Sequence, residues 1–177
     1  MRGLGEGMNV SEEYLFPEVY VEGVRSEKCL CGEREEFFKL PCNADLSHCL
    51  GVYGQIPYEQ ALNYIDLIEA KTKATLIVVK DKPGASSAQG FLVEKNTEVC
   101  LQQVSGDFVY FFTREGSTVK KYNTIAYIVT GKFEVRNVRS ICEGLVALII
   151  DMPWEVPRKA LVVVTHVYRP VTARKST

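Results

Sequence analysis

The sequence predicts a mainly β protein, α+β overall, built as an N-terminal region with one main helix and a C-terminal β unit. Three observations carry that prediction. Many short β-type segments follow one another after residue 90, an internal repeat lies within them, and a single amphipathic stretch precedes them. At 177 residues, folding buries roughly 70% of the unfolded chain's surface, so a core forms without help from metal or disulfides.

The first ten residues are Gly-rich and read as loose, and nothing in MRGLGEGMNVSEEYLF has the apolar length of a signal peptide. EVYVE at 18–22 alternates and is rich in β-branched and aromatic residues, so it reads as a strand, as does EFFKL at 36–40. Pro57 then opens PYEQALNYIDLIEAKTKA, where Ala61, Leu62, Ile65 and Ile68 recur at helical spacing. Proline at the first helical position loses no hydrogen bond, and Glu59 suits the positive end of the helix dipole. TLIVV at 75–79 is short enough for a buried strand. DKPGASSAQG at 81–90 is a loop and the expected domain boundary, dividing 1–90 from 91–177. Beyond it, β-type segments fall at 91–94, 98–103, 107–113, 123–129, 133–139, 145–150 and 160–167, the pattern of a sandwich or barrel. The tail RPVTARKST reads as a frayed end.

Residues 106–129 and 144–166 repeat one order: glycine, strand, acidic turn, valine, basic residues, strand. From Val119 and Val156 onward the offset between copies is constant at 37. A unit this short cannot bury its apolar face alone, so the two copies are expected to cover each other about a pseudo-twofold axis. Gly106 and Gly144 would mark points where a strand bends or another backbone comes close.

Charge and motifs bound the function. Residues 1–56 carry a net charge of −5 and residues 57–177 a net charge of +4, a split that suits two solvated surfaces. The near-neutral total argues against a nucleic-acid footprint. No apolar run is long enough to span a bilayer, so a cytoplasmic, membrane-free protein is expected. There is no GxSxG, P-loop or GxGxxG motif, and the only histidines, His48 and His166, form no recognisable catalytic pair. An enzyme is the least supported class. Trp154 in DMPWEVP is expected to cap a turn with its ring on the barrel, whereas an exposed ring there would signal a contact surface.

The six cysteines allow more than one chemistry. Cys29, Cys31, Cys42 and Cys49 cluster near His48 and offer a soft-ligand set for zinc, although adjacent His48 and Cys49 rarely reach one ion. Disulfide bonding is the rival chemistry, although most cytosols would keep these thiols reduced. Cys100 and Cys142 lie in β-type segments and read as small buried hydrophobes.

The segment from Arg114 to Ile150 carries Glu115-Gly116-Ser117-Thr118-Val119, then Ile125 and Ile128, Val138-Arg139-Ser140 and Gly144-Leu145-Val146. It resembles the biotinyl/lipoyl carrier domain, a barrel-sandwich hybrid, over a core of about 98–167. The whole chain also resembles an archaeal family of uncharacterised proteins, a domain of unknown function, and that likeness implies that a disulfide from Cys29 or Cys31 to Cys42 or Cys49 is a reasonable alternative to a metal site. The resemblance implies that Lys132, in Val129-Thr130-Gly131-Lys132-Phe133, is the residue that would carry biotin or lipoate at a hairpin tip. Thr130-Gly131 would form the tight turn. The flanks differ from both carrier types, which place Met on either side of the lysine for biotin, or Asp and Ala for lipoate. The expected function is therefore a non-catalytic binding or assembly module with a protein partner or a homo-oligomer. A true carrier modified on Lys132 and a small zinc protein are the alternatives.

Overall fold

The computed structural model describes residues 17–82 and 84–175. The Gly-rich start lies outside them. The strands are, in order, β1 (Glu18–Glu22), β2 (Lys28–Glu33), β3 (Glu36–Pro41), β4 (Gly51–Ile56), β5 (Ile65–Asp66), β6 (Lys71–Thr72), β7 (Leu76–Lys80) and β8 (Ser87–Val93). They continue as β9 (Cys100–Gly106), β10 (Phe108–Phe111), β11 (Thr118–Val119), β12 (Thr124–Val129), β13 (Val135–Arg139), β14 (Gly144–Met152), β15 (Arg158–Thr165) and β16 (Arg169–Lys175). The protein is mainly β, as the sequence predicts.

Seven strands close a barrel in the order β1-β4-β2-β3-β16-β8-β7, with β7 pairing back to β1. Its interior is filled by Tyr20, Leu30, Ile77, Val79, Leu92 and their neighbours. Because side chains alternate along a strand, Val19 and Val21 on β1 and Val78 on β7 point the other way. They join a second core with Leu145, Leu148, Ile150, Leu161 and Val163 of β14 and β15. Those two strands belong to a four-stranded sheet, β11-β14-β15-β9, whose opposite face packs through Val146, Val162 and Val164 onto a three-stranded sheet, β10-β12-β13. Burial on both faces explains why GLVALII and ALVVV are continuous apolar runs rather than alternating ones. A β-bulge between Val146 and Leu148 keeps β14 in register with β15.

The two repeat copies are both antiparallel pairs, β10 with β12 and β14 with β15. A Cβ on Gly106 would lie 2.9 Å from Cβ of Ile128, and one on Gly144 would lie 2.6 Å from the carbonyl oxygen of Thr165. Ile128 and Thr165 are themselves equivalent under the 37-residue offset. Gly106, at the end of β9, thus permits a close approach to β12, and Gly144, at the start of β14, a close approach to β15, at equivalent residues of the two copies.

Three expectations need correction. The predicted main helix is a 3-10 helix of seven residues, Tyr58–Tyr64, followed by the β5–β6 hairpin. The Asp66 carboxylate accepts hydrogen bonds from the backbone N–H groups of Ile68 and Glu69, a local turn that competes with helix. Only Ala61 and Ile65 of the presumed apolar stripe are buried, and Ile68 is 93% exposed, so no packing rewards a longer helix. The 90/91 boundary falls inside β8, because Ala88 packs in the barrel interior and Ser87–Gly90 pair with β16. The tail is no frayed end: β16 runs parallel to β3 and antiparallel to β8, with Val171 and Ala173 buried. The barrel therefore takes strands from both sides of 98–167.

All six cysteines are bonded. Cys29 pairs with Cys42, Cys31 with Cys49, and Cys100 with Cys142. Cys100 and Cys142 are therefore partners across β9 and the loop before β14, rather than isolated hydrophobes. The set Cys29, Cys31, Cys42 and Cys49 is split between two bridges, whose sulfurs are not the thiolates that zinc requires. Among the described residues, no helix is long and apolar enough to cross a membrane.

Candidate functional site

The outer face of the β10-β12-β13 sheet is the most unusual surface of the molecule. Along β10 the inward residues Val109 and Phe111 pack on the core, while Phe108, Tyr110 and, just beyond the strand, Phe112 point outward and are exposed. The register sets Phe108 against Val129 and Val129 against Val135, and it sets Tyr110 against Tyr127 and Tyr127 against Asn137. Tyr110 and Tyr127 stack with ring centroids 5.0 Å apart, and Phe112 lies 5.4 Å from Tyr127. These two cross-strand rows contain no ionisable acid or base other than the tyrosine hydroxyls. Arg136 lies on the other pleat and is paired with Glu134 at 2.9 Å.

Among the described residues the sheet is open at its edge: β13 has one partner, β12, and four of its five residues are exposed. An unpaired edge offers a row of N–H and C=O groups to another strand. The hairpin joining β12 to β13 carries Lys132 at its tip. The Thr130 N–H donates to the Glu134 carbonyl at 2.8 Å, and the Phe133 N–H donates to the Thr130 carbonyl at 2.9 Å. The backbone N–H groups of Lys132 and Glu134 both donate to Oγ1 of Thr130, so one side chain pins the whole turn. The left-handed residue is Phe133, at φ 63°, rather than Gly131. Lys132 is exposed and Phe133 is 85% exposed.

A cleft of about 600 Å³ separates the 3-10 helix from the sheets, lined by Tyr58, Phe111, Glu115, Ile149, Trp154 and Arg158 among others. Trp154 is 61% exposed, so its ring edges this cleft rather than capping the barrel. The Tyr58 hydroxyl donates to the buried Glu115 carboxylate and accepts from the Ile149 N–H at 2.8 Å. The Lys80 ammonium donates to the Glu115 carbonyl at 2.7 Å, and Arg158 is paired with Asp151 at 2.6 Å. Tyr58, Lys80 and Glu115 tie the protein's layers together here, while Arg158 and Asp151 join adjacent strands of one sheet. A similar cluster seals one mouth of the barrel, where Lys39 bonds Glu18 and Asp81, and the Tyr20 hydroxyl donates to Glu18 at 2.9 Å. Burial, followed by the charge of Glu18, pushes the Tyr20 hydroxyl far above the usual tyrosine range.

At the cysteine-rich end, His48 Nε2 lies 3.7 Å from Cys31 Sγ and 3.5 Å from Glu33 Oε2. Sequence reasoning singled out Lys132 and the four N-terminal cysteines, and the structure sets them on opposite units, the hairpin tip and the barrel wall. It missed the aromatic face. The signal was the period-two spacing of Phe108, Tyr110 and Phe112, hidden because Val109 and Phe111 between them are also apolar.

No curated protein matches the chain. The model of one family matches residues 14–166, and on that match the chain belongs to the family described as "Uncharacterized protein conserved in archaea (DUF2118)".

Proposed function

We propose that the protein is a non-catalytic assembly module that joins a second copy of itself through the outer face and open edge of the β10-β12-β13 sheet. The single observation that carries this reading is the exposed aromatic surface, with no charge in its two cross-strand rows, next to a strand edge that is unpaired among the described residues. A partner that covers it must itself be neutral and apolar there, or it would strand buried charges without counter-charges. The same patch on another copy meets that condition, in the self-complementary manner of a twofold contact. Pairing β13 with its equivalent would also satisfy the open edge.

Sedimentation velocity over a range of concentrations tests the proposal. The native chain is expected to dimerise, and Tyr110→Ser combined with Val135→Lys is expected to yield a monomer with an unchanged circular dichroism spectrum. A native chain that stays monomeric throughout, or a dimer indifferent to those substitutions, overturns the proposal.

A second reading rests on the hairpin tip. In it the C-terminal sheets are a biotinyl/lipoyl-like unit and Lys132 is its attachment point. The exposed amine on a turn pinned by Thr130 is what a ligase would need, and the matched environments of Gly106 and Gly144 support the two-copy arrangement. Intact-mass measurement after co-expression with a biotin or lipoate ligase checks it. The expected result is one added group on the native chain and none on Lys132→Arg; a wholly unmodified native chain removes this reading.

A further inference from the structure

Three metal-ligating side chains converge at the Cys31–Cys49 bridge. Sγ of Cys31, Sγ of Cys49 and a ring nitrogen of His48 all lie within 4.8 Å of one another, the one grouping of this kind among the described residues. On a regular strand the adjacent His48 and Cys49 side chains would diverge. They instead sit in the turn between β3 and β4, where the Cys49 N–H donates to the Leu46 carbonyl at 3.1 Å, and both reach Cys31 on β2.

The spacing of His48 from Cys31 suits zinc, and the two sulfurs become separate ligands once their bond is reduced. With Zn–S near 2.3 Å and Zn–N near 2.0 Å, a tetrahedral site puts neighbouring sulfur and nitrogen ligands about 3.6 Å apart. His48 Nε2 and Cys31 Sγ are 3.7 Å apart. Glu33, with Oε2 3.5 Å from the same nitrogen, or a water would take the fourth position. The place is open to solvent. His48 is exposed, Cys49 is half-buried, and His48 lines a surface basin with Glu33, Arg34, Glu35, Glu36 and Leu50. Arg34 is basic, and Glu36 is paired with Arg174 at 3.1 Å, which leaves Glu33 and Glu35 to draw a cation in.

We infer that Cys31, Cys49 and His48 form a redox-gated zinc site, closed as a disulfide and competent to bind the ion once a dithiol has reduced it. A thiolate of the dithiol attacks Sγ of Cys49, the more exposed sulfur. The S–S bond breaks, its electron pair stays on Cys31 Sγ, and the imidazole beside it can direct an N–H toward that sulfur. The second thiol of the reductant then attacks the mixed disulfide, leaves as a cyclic disulfide and frees Cys49. Zinc takes both sulfurs as thiolates and two protons pass to solvent. The inference is independent of the sheet face.

Cobalt(II) added to the full chain before and after a phosphine reductant tests it. The oxidised chain is expected to show no thiolate-to-cobalt charge-transfer band. The reduced chain should show one equivalent, displaced by zinc. His48→Ala removes an exposed side chain and is expected to weaken cobalt binding at least about tenfold, and Cys49→Ser to abolish the band. Alkylation mapping should find Cys31 and Cys49 opened before the other two bridges. The inference is overturned if the reduced chain binds no cobalt, if both variants leave the band intact, if another bridge opens first, or if reduction unfolds the chain before this bridge opens.

Discussion

In the barrel every strand has two neighbours and the ring closes through β1 and β7. In the three-stranded sheet, β10 and β13 each have a single partner among the described residues, and four aromatic side chains, Phe108, Tyr110, Phe112 and Tyr127, lie on the outward face. Both regions mix apolar strands with polar ones such as RPVTARK in the barrel and VRNVR in the sheet, so strand chemistry alone does not separate them. What separates them is how their outward faces are used. The barrel spends its outer β1 and β7 residues on a shared core with β14 and β15, and its β2 face on two disulfides. The sheet packs its inner face on that same β14–β15 layer and leaves its outer face free. A closed region thus supports an open one, and disruption should register differently in each.

The largest effect should come from the layer they share. Ile150 is fully buried between barrel and sheets, and Ile150→Ala is expected to cost about 2–5 kcal/mol, read as a lowered denaturation midpoint for the whole chain. If only the sheets unfolded early while the barrel held, the two regions would be independent after all. Tyr58→Phe should come next. It leaves the Ile149 N–H without its acceptor and the buried Glu115 carboxylate without its donor, at a cost of about 1–3 kcal/mol.

Alkaline titration should weaken the barrel specifically. Burial, then the charge of Glu18, raises the Tyr20 hydroxyl. For Lys39, burial pulls the ammonium down, but its hydrogen bonds to Asp81 and Glu18 outweigh that and the net shift is upward. In both cases the folded chain holds its proton more tightly than the unfolded chain does. That stability is complete below about pH 10, where unfolded tyrosine and lysine begin to titrate, and is lost as pH rises beyond it. Melting temperature measured from pH 8 to 11 should fall at the upper end, and Lys39→Met should flatten part of that fall.

The smallest change in stability belongs to the open face. Tyr110→Ser should shift the midpoint by no more than about 0.5 kcal/mol while reducing self-association. A large loss of stability would mean that the aromatic face is structural rather than adhesive.

How much of this was readable follows from what each segment buries. GLVALII and ALVVV announced themselves because both of their faces are covered. KCLCGE did not, because its cysteines pair with a turn that no local pattern specifies, and disulfide connectivity does not follow from spacing. GVYGQI was obscured by two glycines, and RPVTARK by its proline, although Val171 and Ala173 kept the period of two that marks a strand. The 57–74 stretch misled through periodicity without burial, since Leu67 and Ile68 meet solvent. The Lys132 tip was legible from its turn residues, but the residue that takes the left-handed conformation was not. Thr130 anchors the turn so firmly that Phe133 adopts a backbone usually left to glycine or asparagine.

The placement of β16 also sets an order of events during translation. β3 and β8 leave the ribosome long before the strand that bridges them, and the β9–β15 sheets emerge in between. Those sheets have their own local pairings and can form while the nascent barrel still gapes. The ring seals only after residue 175 has been added, so β16 closes a barrel that β1 to β4, β7 and β8 began.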